Sequence, residues 1–290
     1  MELISNYMHN DDQRGMLNEL TRKTFFFDFE DWVRGGFCEG DYIPFSFVEG
    51  DKMLSNASAN IMKFRQNGVQ RNYIQIGTVM TDPEHRNKKL AGTLIRRILE
   101  QFDGKCDGFY LFANLGALEF YRKLGFHEAT EYRWSLRPEF RRDAVSAGAF
   151  RKAEGERLRA EYLEAVRSGA EYSAMEQLNR FSLQMFYTAD LSDVYYAEDI
   201  DCFAVMERDG GTLHLKSVVS RSRVPLSAVI SHISWEFHAL DLGFTPCPEE
   251  AGMFSCTPYN GGNDYRLFFM GNAIKDVERN RLMFPELSHA

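Results

Sequence analysis

The clearest hydrophobic pattern in the first half of the chain predicts an amphipathic helix. Between residues 90 and 102, apolar side chains recur at steps of four, one, three, one and three residues, which places them on one face of an α-helix. Residues 73–81 are rich in Ile, Val, Thr and Tyr and favour a strand. Residues 109–113 predict a short buried strand, and residues 117–124 a short helix that ends at Gly125. The pattern therefore predicts the order strand, helix, strand, helix.

The residues before this segment predict two helices and a hairpin. Asn10 is a good capping residue and precedes apolar positions at helical spacing. A second short helix is expected over residues 27–34, and two strands, at 42–48 and 53–64, flank a turn. A strand at residues 126–136 completes this first unit, which Pro138 closes.

The second half of the chain begins with a highly charged segment. In it, Leu158, Tyr162 and Val166 stand at i, i+4 and i+8, which predicts an amphipathic connecting helix. A further helix is expected over about 174–185, followed by strands at 202–207 and 212–219, a helix at 226–233, and strands at 235–240 and 265–270. This order loosely repeats that of the first half, so a degenerate internal duplication is one interpretation. We predict an α+β protein with a first domain at 1–137, a helical connector at 138–185 and a smaller α+β domain at 186–290.

Composition narrows the class of protein. Apolar residues make up 44% of the chain, which is enough for a hydrophobic core. The formal net charge is -8, and this acidic balance argues against a nucleic-acid partner. The five cysteines are scattered and form no CxxC pair, so we expect neither a disulfide framework nor a metal site. No apolar run approaches the roughly 18–20 residues that span a bilayer, and the acidic start lacks the apolar core of a signal peptide. We therefore expect a cytoplasmic protein without a membrane partner.

The most informative segment for chemistry is the junction between the strand at 73–81 and the helix at 90–102. Pro83 follows the strand, and a polar loop with Arg86, Lys88 and Lys89 leads into the helix. Free backbone N–H groups and the positive end of a helix favour a phosphate at such a junction. A polar helix start with solvated lysines is the alternative interpretation.

Two motifs in this region resemble those of the GNAT superfamily of N-acetyltransferases. The segment from Arg86 to Ala91 is similar to the family's motif A, Q/R-x-x-G-x-G/A, with Arg86, Leu90 and Ala91 at matching positions and Lys89 where the family usually has glycine. The segment ANLGALEFYRKLGF, residues 113–126, resembles motif B. The resemblance covers residues 72–126 in detail and 1–137 in outline. It implies a GNAT fold, a mixed and mostly antiparallel sheet flanked by helices, followed by a smaller α+β domain.

The resemblance also implies which residues contact the coenzyme. The backbone at the end of the first strand would pair with the pantetheine arm, in a slot that opens between the two strands. The loop and first helical turn would hold the pyrophosphate, with Lys89 at the loop's edge near the 3′-phosphate. The implied contacts are Val79, Met80, Thr81, Arg86, Asn87, Lys88, Lys89, Leu90, Ala91, Gly92, Thr93, Asn114, Phe120 and Tyr121.

Tyr121 is the expected acid, because the family often uses a tyrosine here to protonate the departing thiolate. Its ordinary pKa near 10 suits transfer to a thiol. The sequence does not identify the general base that would deprotonate the acceptor ammonium. Some larger relatives with tandem acetyltransferase-like domains, of the enhanced-intracellular-survival type, bring the C-terminal carboxylate into the active site, so Ala290 is one candidate. Other candidates are Asp28, Glu30 and Asp31 in the N-terminal helical region, and His127, which we expect at a strand edge.

The function predicted from these features is transfer of an acetyl group from acetyl-coenzyme A to a primary amine, by direct attack in a ternary complex and without a metal. The acceptor would be a small molecule or a peptide, and homodimerisation stays open. The alternative is a non-catalytic acyl-coenzyme A sensor that retains the fold, because Lys89 replaces the motif glycine and no base is evident.

Overall fold

The computed structural model describes residues 1–140 and 148–290. Its strands are β1 Glu2–Ser5, β2 Tyr42–Glu49, β3 Lys52–Gln66, β4 Val69–Thr81, β5 Gly108–Asn114, β6 His127–Ala129, β7 Glu131–Leu136, β8 Arg151–Lys152, β9 Met175–Gln177, β10 Val194–Ala197, β11 Cys202–Asp209, β12 Thr212–Ser220, β13 Ala239–Leu242, β14 Phe254–Tyr259 and β15 Tyr265–Met270. Its helices are α1 Asp11–Phe25, α2 Glu30–Arg34, α3 Leu90–Phe102, α4 Leu118–Lys123, α5 Gly155–Ser168, α6 Arg180–Thr188, α7 Leu226–Ser231 and α8 Lys275–Arg279. Among the described residues, no helix has the length and apolar character needed to cross a bilayer.

The strands form two sheets, and each sheet contains strands from both halves of the chain. The first sheet has the order β1-β2-β3-β4-β5-β15-β6, with β9 added on β3. The second has the order β14-β7-β13-β12-β11-β10-β8. Strand β15 comes from the end of the chain but lies between β5 and β6, whereas β7 comes from the first half and lies in the second sheet. Strand pairing therefore crosses the predicted limit at residue 137 in both directions.

The two sheets share one arrangement of strands. In the first, β4, α3 and β5 form a crossover that joins parallel neighbours. In the second, β12, α7 and β13 do the same. An exchanged strand then follows in each sheet, β15 beside β5 and β7 beside β13. The second half thus repeats the strand order of the first, as an internal duplication requires.

Strands β4 and β5 separate soon after they begin to pair. Their parallel pairing comprises Tyr73 with Gly108, Ile74 with Phe109 and Gln75 with Tyr110. On its other side β4 pairs with β3 through an irregularity, where the register shifts by one residue. Thr78 lies at this bulge with a positive φ of 46°. A bulge bends a strand and increases its twist, and beyond Gln75 and Tyr110 the two strands no longer pair. We call this unpaired end of β4 and β5 the gap.

The two faces of β4 carry different layers. Ile74 and Ile76 belong to a core with Leu94, Ile95 and Ile98 of α3. Side chains alternate along a strand, so Tyr73, Gln75 and Gly77 face the other way. On that face Tyr73 packs against Phe284, near the end of the chain, with ring centroids 6.2 Å apart.

Three predicted elements differ in the structure. The helix expected over about 174–185 is instead β9 followed by α6, because residues 175–177 pair with β3 and the Asn179 side chain then binds the Lys63 N–H and the Ile61 carbonyl. The single strand expected at 126–136 is two strands, β6 and β7, in different sheets. Of the strand expected at 235–240, only the last two residues lie in β13.

Candidate functional site

The N-terminus of α3 opens on a groove of about 520 Å³. The helix has no side-chain cap, so the first amides of α3 retain the donors that a helix start leaves unpaired. Four cationic side chains line the groove, namely Arg86, Lys89, Arg96 and Lys123. None of them forms an ion pair with another residue of the described chain, and unpaired cations around a helix start favour a multiply charged anion.

The loop before α3 has a backbone that glycine favours. Lys89, the N-cap, has φ 63° and ψ 14°, and Asn87 also has φ 63°. Left-handed backbone costs a residue with a side chain roughly 1–2 kcal/mol. The position where the resemblance implies glycine therefore keeps the glycine conformation with a lysine in place. The side chain is accommodated because Lys89 lies at the groove's edge and is exposed.

Residues predicted to contact coenzyme fall into two groups. Eight of them line the groove: Thr81, Arg86, Asn87, Lys89, Leu90, Ala91, Gly92 and Phe120. The other six lie outside its lining: Val79, Met80, Lys88, Thr93, Asn114 and Tyr121. Four lining residues were missed: His85, Arg96, Lys123 and Leu124. Arg96 follows Gly92 by four residues, so helical spacing could have found it.

Tyr121 lies on the α3 side of the first sheet. Its ring packs against Phe126 and Phe268 of β15, with centroids 6.2 Å and 6.3 Å away. Among the described residues, none forms a hydrogen bond with its hydroxyl. Burial raises the pKa of Tyr121 to about 12, so the phenol stays protonated at neutral pH. The pKa of Tyr121 therefore lies further from the pKa of a thiol than the pKa of an ordinary tyrosine does.

The last residues of the sequence lie at the gap, on the face of β4 that is turned away from α3. The Gln75 side-chain amide, oriented by its partners, donates to the Ser288 carbonyl at 2.9 Å and accepts from the Ala290 N–H at 2.8 Å. The His289 ring stacks on Phe112, with centroids 3.7 Å apart. A Cβ built at Gly77 would lie only 2.7 Å from the Ala290 oxygen. Gly77 therefore provides the space that the Ala290 backbone occupies.

A small aromatic pocket of about 230 Å³ adjoins Ala290. Six aromatic residues line it, namely Phe27, Phe29, Trp32, Tyr42, Phe186 and Tyr187. The sequence did not identify this pocket, because its walls come from the N-terminal helical region, β2 and α6. A wider cavity of about 570 Å³ shares four of these walls and is also lined by Asp28, Asp31 and Asp190.

The other candidate bases lie in varied surroundings. Glu30 binds Arg14 at 3.0 Å, and this hydrogen bond lowers the pKa of Glu30. Asp28 pairs with Arg22 at 2.8 Å, and Asp31 lines the wider cavity rather than the aromatic pocket. His127 is exposed on the edge strand β6, where the sequence predicted it.

The described residues contain one cluster of metal-binding side chains, Asp82, Glu84 and His85. Lys52 Nζ lies 3.4 Å from Asp82 and 3.0 Å from Glu84. One lysine ammonium therefore already offsets part of the negative charge of these two carboxylates.

A mixed sheet in which β4 is bulged and stops pairing with β5, and a basic groove at the start of α3, are the features that the resemblance to the GNAT superfamily implies. Residues 7–126 match the sequence model of the acetyltransferase (GNAT) family.

Solved structures with the same fold cover nearly the whole chain. A GCN5-related N-acetyltransferase from Kribbella flavida is 19% identical, with a TM-score of 0.54 over 92% of this chain and 71% of its own. Eis1 from Mycobacterium abscessus is 15% identical, with a TM-score of 0.55 over 92% and 72%. A GCN5-related N-acetyltransferase from Anabaena variabilis is 14% identical, with a TM-score of 0.55 over 94% and 74%. At these identities the likeness establishes the fold, including a second domain. No curated protein sequence matches the chain.

Proposed function

We propose that the protein transfers an acetyl group from acetyl-coenzyme A to a primary amine by direct attack in a ternary complex. The observation that carries the proposal is the gap between β4 and β5. Uncapped α3 amides and unpaired cations lie beside one end of β4. Ala290 and an aromatic pocket lie on the opposite face of the same strand. Donor and acceptor could thus reach the gap from different sides.

The coenzyme would bind with its phosphates at the start of α3. The amides of Leu90, Ala91 and Gly92, with Arg86 and Lys89, would hold the pyrophosphate and the 3′-phosphate. Beyond the bulge, the backbone of β4 from Val79 to Thr81 has no β5 partner, so it could pair with the pantetheine amides as another strand would. The remaining proposed contacts are Met80, Asn87, Lys88, Thr93, Asn114, Phe120 and Tyr121.

Ala290 and Tyr121 would each carry out one of the two proton transfers in the reaction. The Ala290 carboxylate would take one proton from the acceptor ammonium, and the nitrogen lone pair would attack the acetyl carbonyl carbon. The Val79–Thr81 backbone would stabilise the oxyanion while the C–N bond forms. When the C–S bond breaks, Tyr121 would protonate the sulfur, and the proton that the nitrogen still sheds would restore the tyrosine. The products are an N-substituted acetamide, coenzyme A and one released proton.

Thiol release from acetyl-coenzyme A, measured against a panel of amines, tests this proposal. Turnover with at least one amine, together with the acetylated product in the mass spectrum, is the expected result. Tight binding of acetyl-coenzyme A by calorimetry without turnover of any amine would contradict catalysis. That outcome would favour the acyl-coenzyme A sensor, which the lysine at the motif glycine also suggests.

Lys89 should contribute charge rather than shape to coenzyme binding. We expect Lys89→Ala and Lys89→Gly both to weaken coenzyme A binding by about tenfold. A hydrogen bond to a charged group contributes roughly 1.5–3 kcal/mol, and solvent exposure of the lysine reduces this contribution. Calorimetry at two salt concentrations would measure this. Lys89→Gly should also melt no lower than Lys89→Ala, because glycine adopts φ 63° without strain.

Lys105→Ala is the matched control, because this exposed lysine lies at the other end of α3. It should leave coenzyme affinity unchanged. If Lys89→Ala bound coenzyme A as tightly as the wild type, the proposed phosphate contact would be wrong.

A further inference from the structure

The aromatic pocket beside Ala290 offers an acceptor very few free polar groups. The Trp32 Nε1–H donates to the Ser182 carbonyl at 2.7 Å. The Tyr42 hydroxyl donates to Thr78 Oγ1 at 3.2 Å, and the Tyr187 hydroxyl donates to the His289 carbonyl. The donors of the pocket walls are therefore used within the protein. A hydroxyl-rich acceptor would lose its hydrogen bonds to water on entering and gain few in return.

Volume limits the acceptor further. The pocket holds about 230 Å³. A closed apolar cavity of roughly 150 Å³ accommodates benzene, whereas pockets for drug-sized ligands have roughly 300–1,000 Å³. One ring or an equivalent alkyl group with a short amine arm fits this space. A linked set of sugar rings does not.

The rings of the pocket hold one another in place. Phe186 lies edge-on to Phe27 and Trp32, with centroids 5.3 Å and 5.9 Å away, and tilts against Phe29 at 5.9 Å. Phe29 and Tyr42 lie 5.0 Å apart. Edge-to-face packing of this kind favours a defined cavity shape. Phe186 contacts four of the other walls, since it also lies edge-on to Tyr187 at 5.4 Å, so its ring sets the width of the pocket.

Charge is distributed differently in the pocket and outside it. No charged side chain lines the described walls of the pocket, and under the proposed function the Ala290 carboxylate supplies its one charge. The wider cavity that shares four of its walls is lined by Asp28, Asp31 and Asp190 and by the cation Arg159, while Arg22 pairs with Asp28. This acidic surface beside the pocket attracts an ammonium, and the proposed Ala290 carboxylate would pair with it inside. A second ammonium in the pocket would be buried without a partner, which is costly.

We propose that the acceptor is a monoamine with one compact apolar body, such as an arylalkylamine, rather than a polyamine or an aminoglycoside. This inference rests on the proposed function, since it names the amine that receives the acetyl group. The apolar body would occupy the space between Phe29, Trp32 and Phe186. Its ammonium would face Ala290 and give up one proton there, before the C–N bond forms and the C–S bond of the donor breaks.

The test compares kcat/KM of the 290-residue chain for 2-phenylethylamine, spermidine and kanamycin at saturating acetyl-coenzyme A. We expect 2-phenylethylamine to exceed both polycations by about tenfold or more, since burial of one ring is worth about 1.5–3 kcal/mol. Equal or higher kcat/KM for either polycation would overturn the inference while leaving the acetyltransferase intact. If no amine is acetylated although acetyl-coenzyme A binds, both proposals fall together.

Phe186→Ala gives a second readout in the same assay. It should raise KM for 2-phenylethylamine by about tenfold and change KM for ethylamine far less, because only the larger body contacts the ring. Phe140→Ala, a half-exposed phenylalanine outside the pocket, is the matched control and should change neither. An equal rise in KM for both amines after Phe186→Ala would contradict the placement of the apolar body. Melting curves of the two variants identify a loss caused by unfolding.

Discussion

Replacing Tyr121 by Phe should lower kcat by about tenfold or more and leave coenzyme A affinity nearly unchanged. Proton transfer by a positioned acid is worth roughly 10²–10⁴ in rate, and water can replace part of it at a thiolate. The fold should tolerate the change, because the Tyr121 hydroxyl has no hydrogen-bond partner in the described parts of the chain while its ring packs against Phe126 and Phe268. Steady-state kinetics with a turned-over amine would measure the loss.

The pKa of Tyr121 predicts how kcat should change with pH. Burial raises the pKa of Tyr121 to about 12, so the proton to be donated is held at all pH values below that. The kcat of the wild type should therefore not fall between about pH 7 and pH 10 through loss of this acid. A decline in that range that disappears in Tyr121→Phe would show a far lower pKa in the complex.

Tyr195→Phe is the control for Tyr121→Phe. Tyr195 lies in β10 of the second sheet, with its ring edge-on to Trp235. Its hydroxyl also lacks a hydrogen-bond partner among the described residues, so both variants remove the same kind of group. Equal activity of the two variants would show that the Tyr121 hydroxyl plays no part in the reaction.

Local patterns predicted the strand, loop and helix around the groove, for a physical reason. The periodicity from Leu90 to Phe102 specifies α3 by itself, and the loop before it follows from Pro83 and the cationic run. A helix start and the cations beside it lie close in sequence, so their proximity in space needs no tertiary contact. The left-handed backbone at Lys89 did not follow from the residue type, because lysine rarely adopts it.

The aromatic pocket could not be predicted in the same way. Its walls unite Phe29 and Trp32 with Phe186 and Tyr187, about 150 residues later in the chain. No sequence periodicity encodes such a contact. The exchange of β7 and β15 between the sheets is equally nonlocal, since each strand has the alternation of an ordinary strand and only pairing decides its sheet. Only the resemblance to tandem acetyltransferases drew attention to Ala290.

Deleting Ala290 should lower kcat by roughly 10²-fold while coenzyme A binding persists. A general base contributes about 10²–10⁴, and the deletion withdraws the terminal carboxylate by one residue, about 3.8 Å. His289 would keep its place, because its ring stacks on Phe112. The experiment compares kcat and coenzyme affinity of the 289- and 290-residue chains. Unchanged kcat after the deletion would remove Ala290 from the mechanism.

Gly77→Ala should also lower kcat while coenzyme A binding persists, and it does so without removing a residue from the end of the chain. The added Cβ would lie 2.7 Å from the Ala290 oxygen and 2.9 Å from Asn60 Nδ2, so Ala290 must move. Gly15→Ala is the matched control, because a Cβ there meets nothing within 4 Å and α1 gains a better helix former. If the carboxylate is the base, Gly77→Ala and the deletion should each lower kcat, and their combination should lower it little further. Two variants that remove one function by different routes are not additive. Additive losses would instead assign Gly77 a separate role, in the backbone of the bulged strand.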